Sequence, residues 1–307
     1  MGASPIQALL IKMLNNILET IGKTPLIKIN KLNQNKKVTI YAKLEYFNPG
    51  GSVKDRSALK MIEEAEKRKE LTKDRIVLEA TSGNTGIGLA LISALKGYKV
   101  LLIMSESVSI ERRKILKAFG AKLLLTQAKQ GTDGAIEKAY ELARKNKKYW
   151  LVDQFNNPDN FLAHYQGTGP EIWQQTKGKI THFIAGIGTS GTLMGVGKFL
   201  KEKNLKIKII GVEPCLNHKI QGLKNLKEAY KPGIFNKILL DKKISIKDKD
   251  AFVTAQQLAK KEGIFVGISS GAAMFVALKK AKELNKGLIV VLLPDAGERY
   301  LSTSLFN

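Results

Sequence analysis

The chain has 307 residues, 44% of them hydrophobic, enough for a sizeable core or for two lobes sharing one cleft. A single cysteine, Cys215, excludes an internal disulfide, reads as a small buried hydrophobe and fits a reducing, cytoplasmic setting. No apolar run reaches bilayer-spanning length, which argues against a membrane protein. The net charge of +24 opens nucleic-acid, membrane-surface and acidic-substrate readings. Only seven of the 51 basic residues are arginine, the side chain suited to bidentate phosphate and base contacts. The lysines are spread along the whole chain, which favours a solvated surface over a nucleic-acid partner.

In chain order, residues 1–12 carry a short apolar stretch, Ile6–Ile11, without a basic start or a small-residue cleavage site. They read as an extension, with Met13 as an alternative start. Apolar runs then predict buried strands at Ile76–Ala80, Val100–Met104, Leu123–Thr126, Trp150–Val152, Phe183–Ala185, Ile207–Val212 and Leu288–Leu293. Between them, Ala58, Met61, Ile62 and Ala65, and then Ala135, Ile136, Ala139 and Leu142, follow helical spacing. Strands alternating with helices imply an α/β protein with mostly parallel sheets. The chain is expected to cross between two lobes near residues 46 and 160.

Ligands of such sheets bind where strand ends run into helices, and four unusual turns fall there. Asn48-Pro49-Gly50-Gly51-Ser52-Val53-Lys54-Asp55-Arg56 predicts a turn and a helix start, with Ser52 as cap and Asp55 as its capping-box acid. Lys54 then lies in the first helical turn, where the dipole disfavours a cation. It is either an exposed lysine or an amine kept neutral to bond a carbonyl. Thr81-Ser82-Gly83-Asn84-Thr85-Gly86 opens a helix running to about Lys96. Its N–H and hydroxyl groups suit a carboxylate, or it is an ordinary capped turn. Gly186-Ile187-Gly188-Thr189-Ser190-Gly191-Thr192 reads as a phosphate cradle. It is not a Walker A loop and is a poor dinucleotide fingerprint. Gly267-Ile268-Ser269-Ser270-Gly271-Ala272 places a serine where it meets a heterocycle nitrogen or simply caps a helix. His164, His182 and His218 show no metal spacing; His164 reads as structural.

In this order the four segments resemble the fold-type II, tryptophan synthase β-like pyridoxal 5'-phosphate (PLP) enzymes, and within them the cysteine synthase family. The resemblance runs from Thr20-Ile21-Gly22-Lys23-Thr24-Pro25-Leu26 to Gly297-Glu298-Arg299-Tyr300-Leu301-Ser302-Thr303. The strings Asp153-Gln154-Phe155-Asn156-Asn157-Pro158-Asp159-Asn160 and Thr168-Gly169-Pro170-Glu171-Ile172-Trp173 look like the cysteine synthase B branch. The Lys219–Asn225 stretch partly looks like the A branch, and Leu293-Pro294-Asp295-Ala296-Gly297 lacks a cysteine common in the B branch.

The resemblance implies two α/β domains, each with a mostly parallel sheet flanked by helices: a smaller one at 47–160, and a larger one at 13–46 plus 161–307 that binds the PLP phosphate. It implies that Lys54 carries the cofactor and moves the α-proton, that Asn84 bonds the ring oxygen, and that Ser269 faces the pyridine nitrogen. Gly188, Thr189, Ser190, Gly191 and Thr192 would hold the phosphate. Thr81, Ser82, Asn84, Thr85 and Gln154 would receive the substrate carboxylate, and Lys224 a second anionic group. The implied reaction makes L-cysteine from O-acetylserine and sulfide or thiosulfate through an aminoacrylate. O-phosphoserine sulfhydrylation and cystathionine β-synthase-like chemistry are the alternatives on the same fold. A homodimer, and serine acetyltransferase as partner, are family expectations.

Overall fold

The computed structural model describes residues 13–81, 83–227 and 231–306. Ser82 and the 1–12 extension lie outside the described residues. Elements alternate as the sequence predicts. They are β1 (Leu26–Lys28), β2 (Val38–Leu44), α1 (Lys54–Lys67), β3 (Ile76–Ala80), α2 (Asn84–Lys96), β4 (Lys99–Ser105), α3 (Ile110–Ala118), β5 (Lys122–Thr126), α4 (Gly131–Lys145) and β6 (Tyr149–Leu151). Then follow α5 (Pro158–Ala163), α6 (Gly169–Gln175), β7 (His182–Gly186), α7 (Gly191–Lys203), β8 (Lys208–Pro214), β9 (Lys242–Ile246), α8 (Asp248–Gln257), α9 (Ile268–Glu283) and β10 (Gly287–Leu293).

The strands form two sheets. One is four-stranded, in the order β5-β4-β3-β6, and parallel throughout. The other is six-stranded, in the order β1-β2-β10-β7-β8-β9, and only its edge strand β1 runs antiparallel. Each sheet buries both faces. In the smaller sheet Val77, Val100 and Leu102 pack with Met61 of α1, Ile87 of α2 and Leu116 of α3, while Leu78 and Ile103 pack with Ile136 of α4. In the larger, Val291 and Ile184 pack with Met274 of α9, and Val290 and Phe183 with Leu193 of α7. Alternate residues of one strand thus serve opposite layers, the period-two rule of a doubly covered sheet.

Three strands, β1, β2 and β9, are not among those expected. β2 alternates correctly, with Val38, Ile40, Ala42 and Leu44 buried. Lys43 breaks its apolar run, yet it is fully buried too, and β9 opens on two exposed lysines. β6 begins one residue before the predicted start, and β8 continues to Pro214.

The end of β2 explains the buried lysine. Arg56, in the first turn of α1, grips two carboxylates. Its Nε and Nη2 donate to Glu45 at 2.6 and 3.0 Å, and its Nη1 and Nη2 donate to Glu171 of α6 at 2.6 and 2.8 Å. Lys43 adds bonds to Glu171 at 2.8 Å and to the Thr24 carbonyl at 2.7 Å. Burial works against the Glu171 charge, but Arg56 and Lys43 outweigh it and hold the carboxyl down to about 2. Replacing Arg56 with leucine strands the fully buried Glu45. We expect a loss of about 3–5 kcal/mol of stability in urea denaturation, whereas an exposed pair such as Lys145–Glu141 should cost under about 1 kcal/mol.

Candidate active site

The carboxyl ends of β3, β4, β7 and β10 open on one cleft of about 850 Å³, where ligands of open parallel sheets bind. The turn that carries Lys54 is fastened to the end of β10. Val53 N–H donates to the Pro294 carbonyl at 2.9 Å, and Ser52 bridges Asp295. The expected capping box does not form. Ser52 Oγ accepts only a 3.2 Å bond from Lys54 N–H, and Val53 occupies the cap position in helical conformation. Asp55 turns back instead and accepts from Gly50 N–H at 2.6 Å, closing the Asn-Pro-Gly-Gly turn. Burial pushes the Asp55 carboxyl up to about 7 against that bond.

Lys54 lines the cleft, and its Nζ makes no hydrogen bond or ion pair among the described residues. Burial lowers its pKa from the ordinary 10.5, with the Asp295 carboxylate pulling the other way. The local structure therefore favours a neutral, available amine.

Gly188, Thr189 and Thr192 line the same cleft. A Cβ at Gly188 would lie 2.6 Å from the Gly222 carbonyl oxygen, so only glycine allows that approach. Ser190 is held at φ +68°, and its buried hydroxyl has no partner among the described residues. Gly191 begins α7, whose first N–H groups have no carbonyl to bond within the helix. A tight loop, an unsatisfied hydroxyl and a helix start fit a phosphate. Ser269 lies in the first turn of α9, 4% exposed, on the wall of the cleft.

At the start of α2, Asn84 donates through Nδ2 to Asp295 Oδ2 and accepts at Oδ1 from Arg299 Nη1, both at 2.7 Å. One Nδ2 proton remains for a ligand. Thr81 Oγ1 accepts from the N–H groups of Gly83 and Gly86 at 3.1 and 3.4 Å. Its side chain therefore caps the helix and keeps a proton to donate. The Thr85 hydroxyl donates to Gln154 Oε1 at 2.6 Å, and Gln154 Nε2 donates to the Ala80 carbonyl at 2.9 Å. Lys224, 9% exposed at its side chain, pairs with Asp133 of α4 at 3.0 Å, at the cleft wall. Ten of the twelve expected site residues that are described line one cavity; Ser190 and Gly191 belong to the same loop but are not part of that lining.

Sequence reasoning missed the layer beneath. Asp295 is fully buried and also accepts from Tyr300 Oη at 2.7 Å; its other oxygen has no partner. Arg299 reaches the Gly50 carbonyl, and the Arg112 guanidinium lies 4.9 Å from the centre of the Tyr300 ring. Glu79, at the end of β3, accepts from Gln154 N–H at 3.1 Å and from Gln154 Nε2 at 3.3 Å. Scarcity was the available signal. In a lysine-rich chain with seven arginines, Arg56, Arg112 and Arg299 are buried.

A free amine in one cleft with a loop and a helix start that suit anions fits an enzyme that carries a phosphorylated carbonyl cofactor. Residues 17–295 match the family of pyridoxal-phosphate dependent enzymes, and the chain belongs to that family. A cysteine synthase of Aquifex aeolicus is 51% identical over 305 residues, covering 96% of this chain and 93% of that protein. Cysteine synthase B of Escherichia coli is 47% identical over 294 residues, covering 96% and 97%. The crystal structure of an Entamoeba histolytica cysteine synthase superposes with a TM-score of 0.92 at 41% identity, over 100% of this chain and 93% of that one.

Burial pushes the Glu79 carboxyl up to about 8 from the ordinary 4.5, with the Gln154 bonds opposing. Between those values the folded protein holds a proton that the unfolded chain releases, so stability falls as pH rises through that window. Replacing Glu79 with glutamine should therefore raise the melting temperature at pH 8, and the gain should vanish near pH 4.5. An equal gain at both pH values would contradict a protonated Glu79.

Proposed function

We propose that the protein makes L-cysteine from O-acetyl-L-serine, replacing the acetoxy group with sulfur from sulfide or thiosulfate. The observation that carries this reading is the unpaired, desolvated Lys54 amine in one cleft with the Gly188–Thr192 cradle and the α2 carboxylate site. The cysteine synthase names of full-length relatives at 47–51% identity support it. They do not favour a phosphoserine donor, a cystathionine-forming acceptor or a nucleic-acid partner.

Bound PLP supplies an electron sink that makes the amino acid's α-proton acidic. Lys54 Nζ would attach the cofactor, and as the amine facing the substrate it would take the α-proton and return it to the product. Gly188, Thr189, Ser190, Gly191 and Thr192 would hold the phosphate, and Asn84 would donate its remaining amide proton to the ring oxygen. Ser269 would meet the ring nitrogen as a neutral partner, and a cofactor so held would be a weaker electron sink that favours loss of the β-substituent. The helix-start N–H groups with Thr81, Ser82, Asn84, Thr85 and Gln154 orient the carboxylate, and Lys224 meets any second anionic group at the cleft wall. We also assign residues 47–160 to a smaller domain and 13–46 plus 161–307 to a larger one. The working form is a cytoplasmic homodimer, with serine acetyltransferase as a partner at the cleft.

The purified protein should be yellow. Adding O-acetyl-L-serine without sulfide should move the absorbance band to longer wavelength, and sulfide or thiosulfate should restore it. Lys54→Ala should lower kcat by about a thousandfold. A protein that stays colourless after incubation with PLP overturns the reading.

A further inference from the structure

Behind the Gly188–Thr192 loop lie three buried polar side chains for which the proposed reaction has no use. Asn160 belongs to α5, and His164 and Thr168 to the single π-helical turn between α5 and α6. They are 2%, 0% and 0% exposed. π-turns recur at functional sites because the extra residue re-aims side chains; here Thr168 meets the His164 ring. Helix α7 comes close because residue 195 is glycine: a Cβ there would lie 2.8 Å from His164 Cβ.

The direction of each bond can be worked out. Asn160 Nδ2 donates to the Gln154 carbonyl at 2.8 Å, which fixes the amide orientation. Its second proton goes to Thr189 Oγ1 at 3.0 Å. A hydroxyl oxygen that accepts keeps its own proton for another acceptor. His164 repeats the pattern at Thr192. Its Nδ1 lies 2.9 Å from Thr168 Oγ1 and its Nε2 lies 3.1 Å from Thr192 Oγ1. Burial, then the charge of Arg56, holds the imidazole well below its ordinary 6.5. A neutral ring has one donor nitrogen and one acceptor. When Thr192 donates to an anion, its oxygen must accept from His164 Nε2–H. Nδ1 must then accept from Thr168.

We propose that Asn160 and His164 are positioning residues of the anion cradle, each donating to a threonine hydroxyl so that Thr189 and Thr192 turn their protons out to a phosphate group. The inference rests on the PLP reading above. The chain Thr168 to His164 to Thr192 ends on the ligand, and successive bonds in a dry interior strengthen one another. The cradle then presents oriented donors that need no rearrangement when the phosphate arrives.

The test compares PLP with pyridoxal, which keeps the aldehyde for Lys54 and lacks the phosphate. Both are titrated into the cofactor-free full-length protein, and the 31P resonance of bound PLP is recorded. His164→Leu should weaken PLP binding by roughly tenfold or more, move the 31P resonance and leave pyridoxal within about twofold. His164→Gln, which keeps a donor at the Nε2 end, should restore most of the loss. In a Thr192→Val background the effect of His164→Leu should disappear. The same cycle applies to Asn160→Ala with Thr189→Val. Equal losses for PLP and pyridoxal, or fully additive losses in the cycles, overturn the proposal. If His164→Leu does not fold, Thr168→Val takes its place, and the absence of a phosphate-specific loss overturns it again. A wild-type protein that takes up no PLP overturns the functional reading itself; uptake with indifferent variants overturns only this inference.

Discussion

Arg56 holds two carboxylates that the fold brings from opposite directions, Glu45 from the end of β2 and Glu171 from α6. Its position two residues after Lys54 makes that clamp consequential. Between Glu45 and Arg56 runs the whole turn that presents the lysine. With both ends fixed to the six-stranded sheet and its helices, the turn can settle only where Val53 meets Pro294. Several charges are buried for this, and burying charge is costly unless every partner is in place. Here Thr24, Lys43, Asn48 and Gln175 complete the set. What the network secures is geometry: the end of β10, the start of α1 and the start of α6 are held in one frame.

The cleft is built from helix starts, and its ligands follow from that. α2 and α7 both begin at its walls, and α9 places Ser269 there. Helix starts offer N–H groups and favour negative charge, so one suits a carboxylate and another a phosphate. The surface charge of +24 adds a general attraction for anionic substrates. It does not select among them; selection falls to hydroxyls and amides whose directions are set by the side chains underneath.

That division explains what was legible in the sequence. Glycine, serine and threonine in strand-to-helix turns announce themselves, because no other residues allow close backbone approach and short-range donation. The turns that hold Lys54, Asn84, Thr189 and Ser269 could therefore be singled out from residue types and order, and the family resemblance supplied the role of each residue. The side chains that orient them could not. Asn160, Asp295 and Glu79 act through partners 29, 211 and 75 residues away in the chain, and no local pattern encodes such distances. β2 was missed for a related reason: Lys43 reads as a surface residue until Glu171 and Gln175, more than 120 residues later, are brought against it. The capping box failed because Asp55 had a nearer donor in Gly50 N–H, and closing the turn satisfied a group that capping would have left exposed in the interior.

Asp295 shows how the same logic governs charge in the cleft. A fully buried carboxylate beside Lys54 would by itself stabilise the ammonium and disable the amine. Its charge is instead shared out. Oδ2 accepts from Asn84 and Tyr300, and Asn84 passes the interaction on to the Arg299 guanidinium. Arg112 stands over the Tyr300 ring on the far side. Arg299 and Arg112 thus bring positive charge to the layer that holds Asp295 and Tyr300. A desolvated amine beside positive charge suits an amino acid's carboxylate, since the charge favours that group while the amine stays free to react. It is burial that lowers the lysine, with the Asp295 carboxylate opposing, and Asp295 is itself held in place by the bonds from Asn84 and Tyr300.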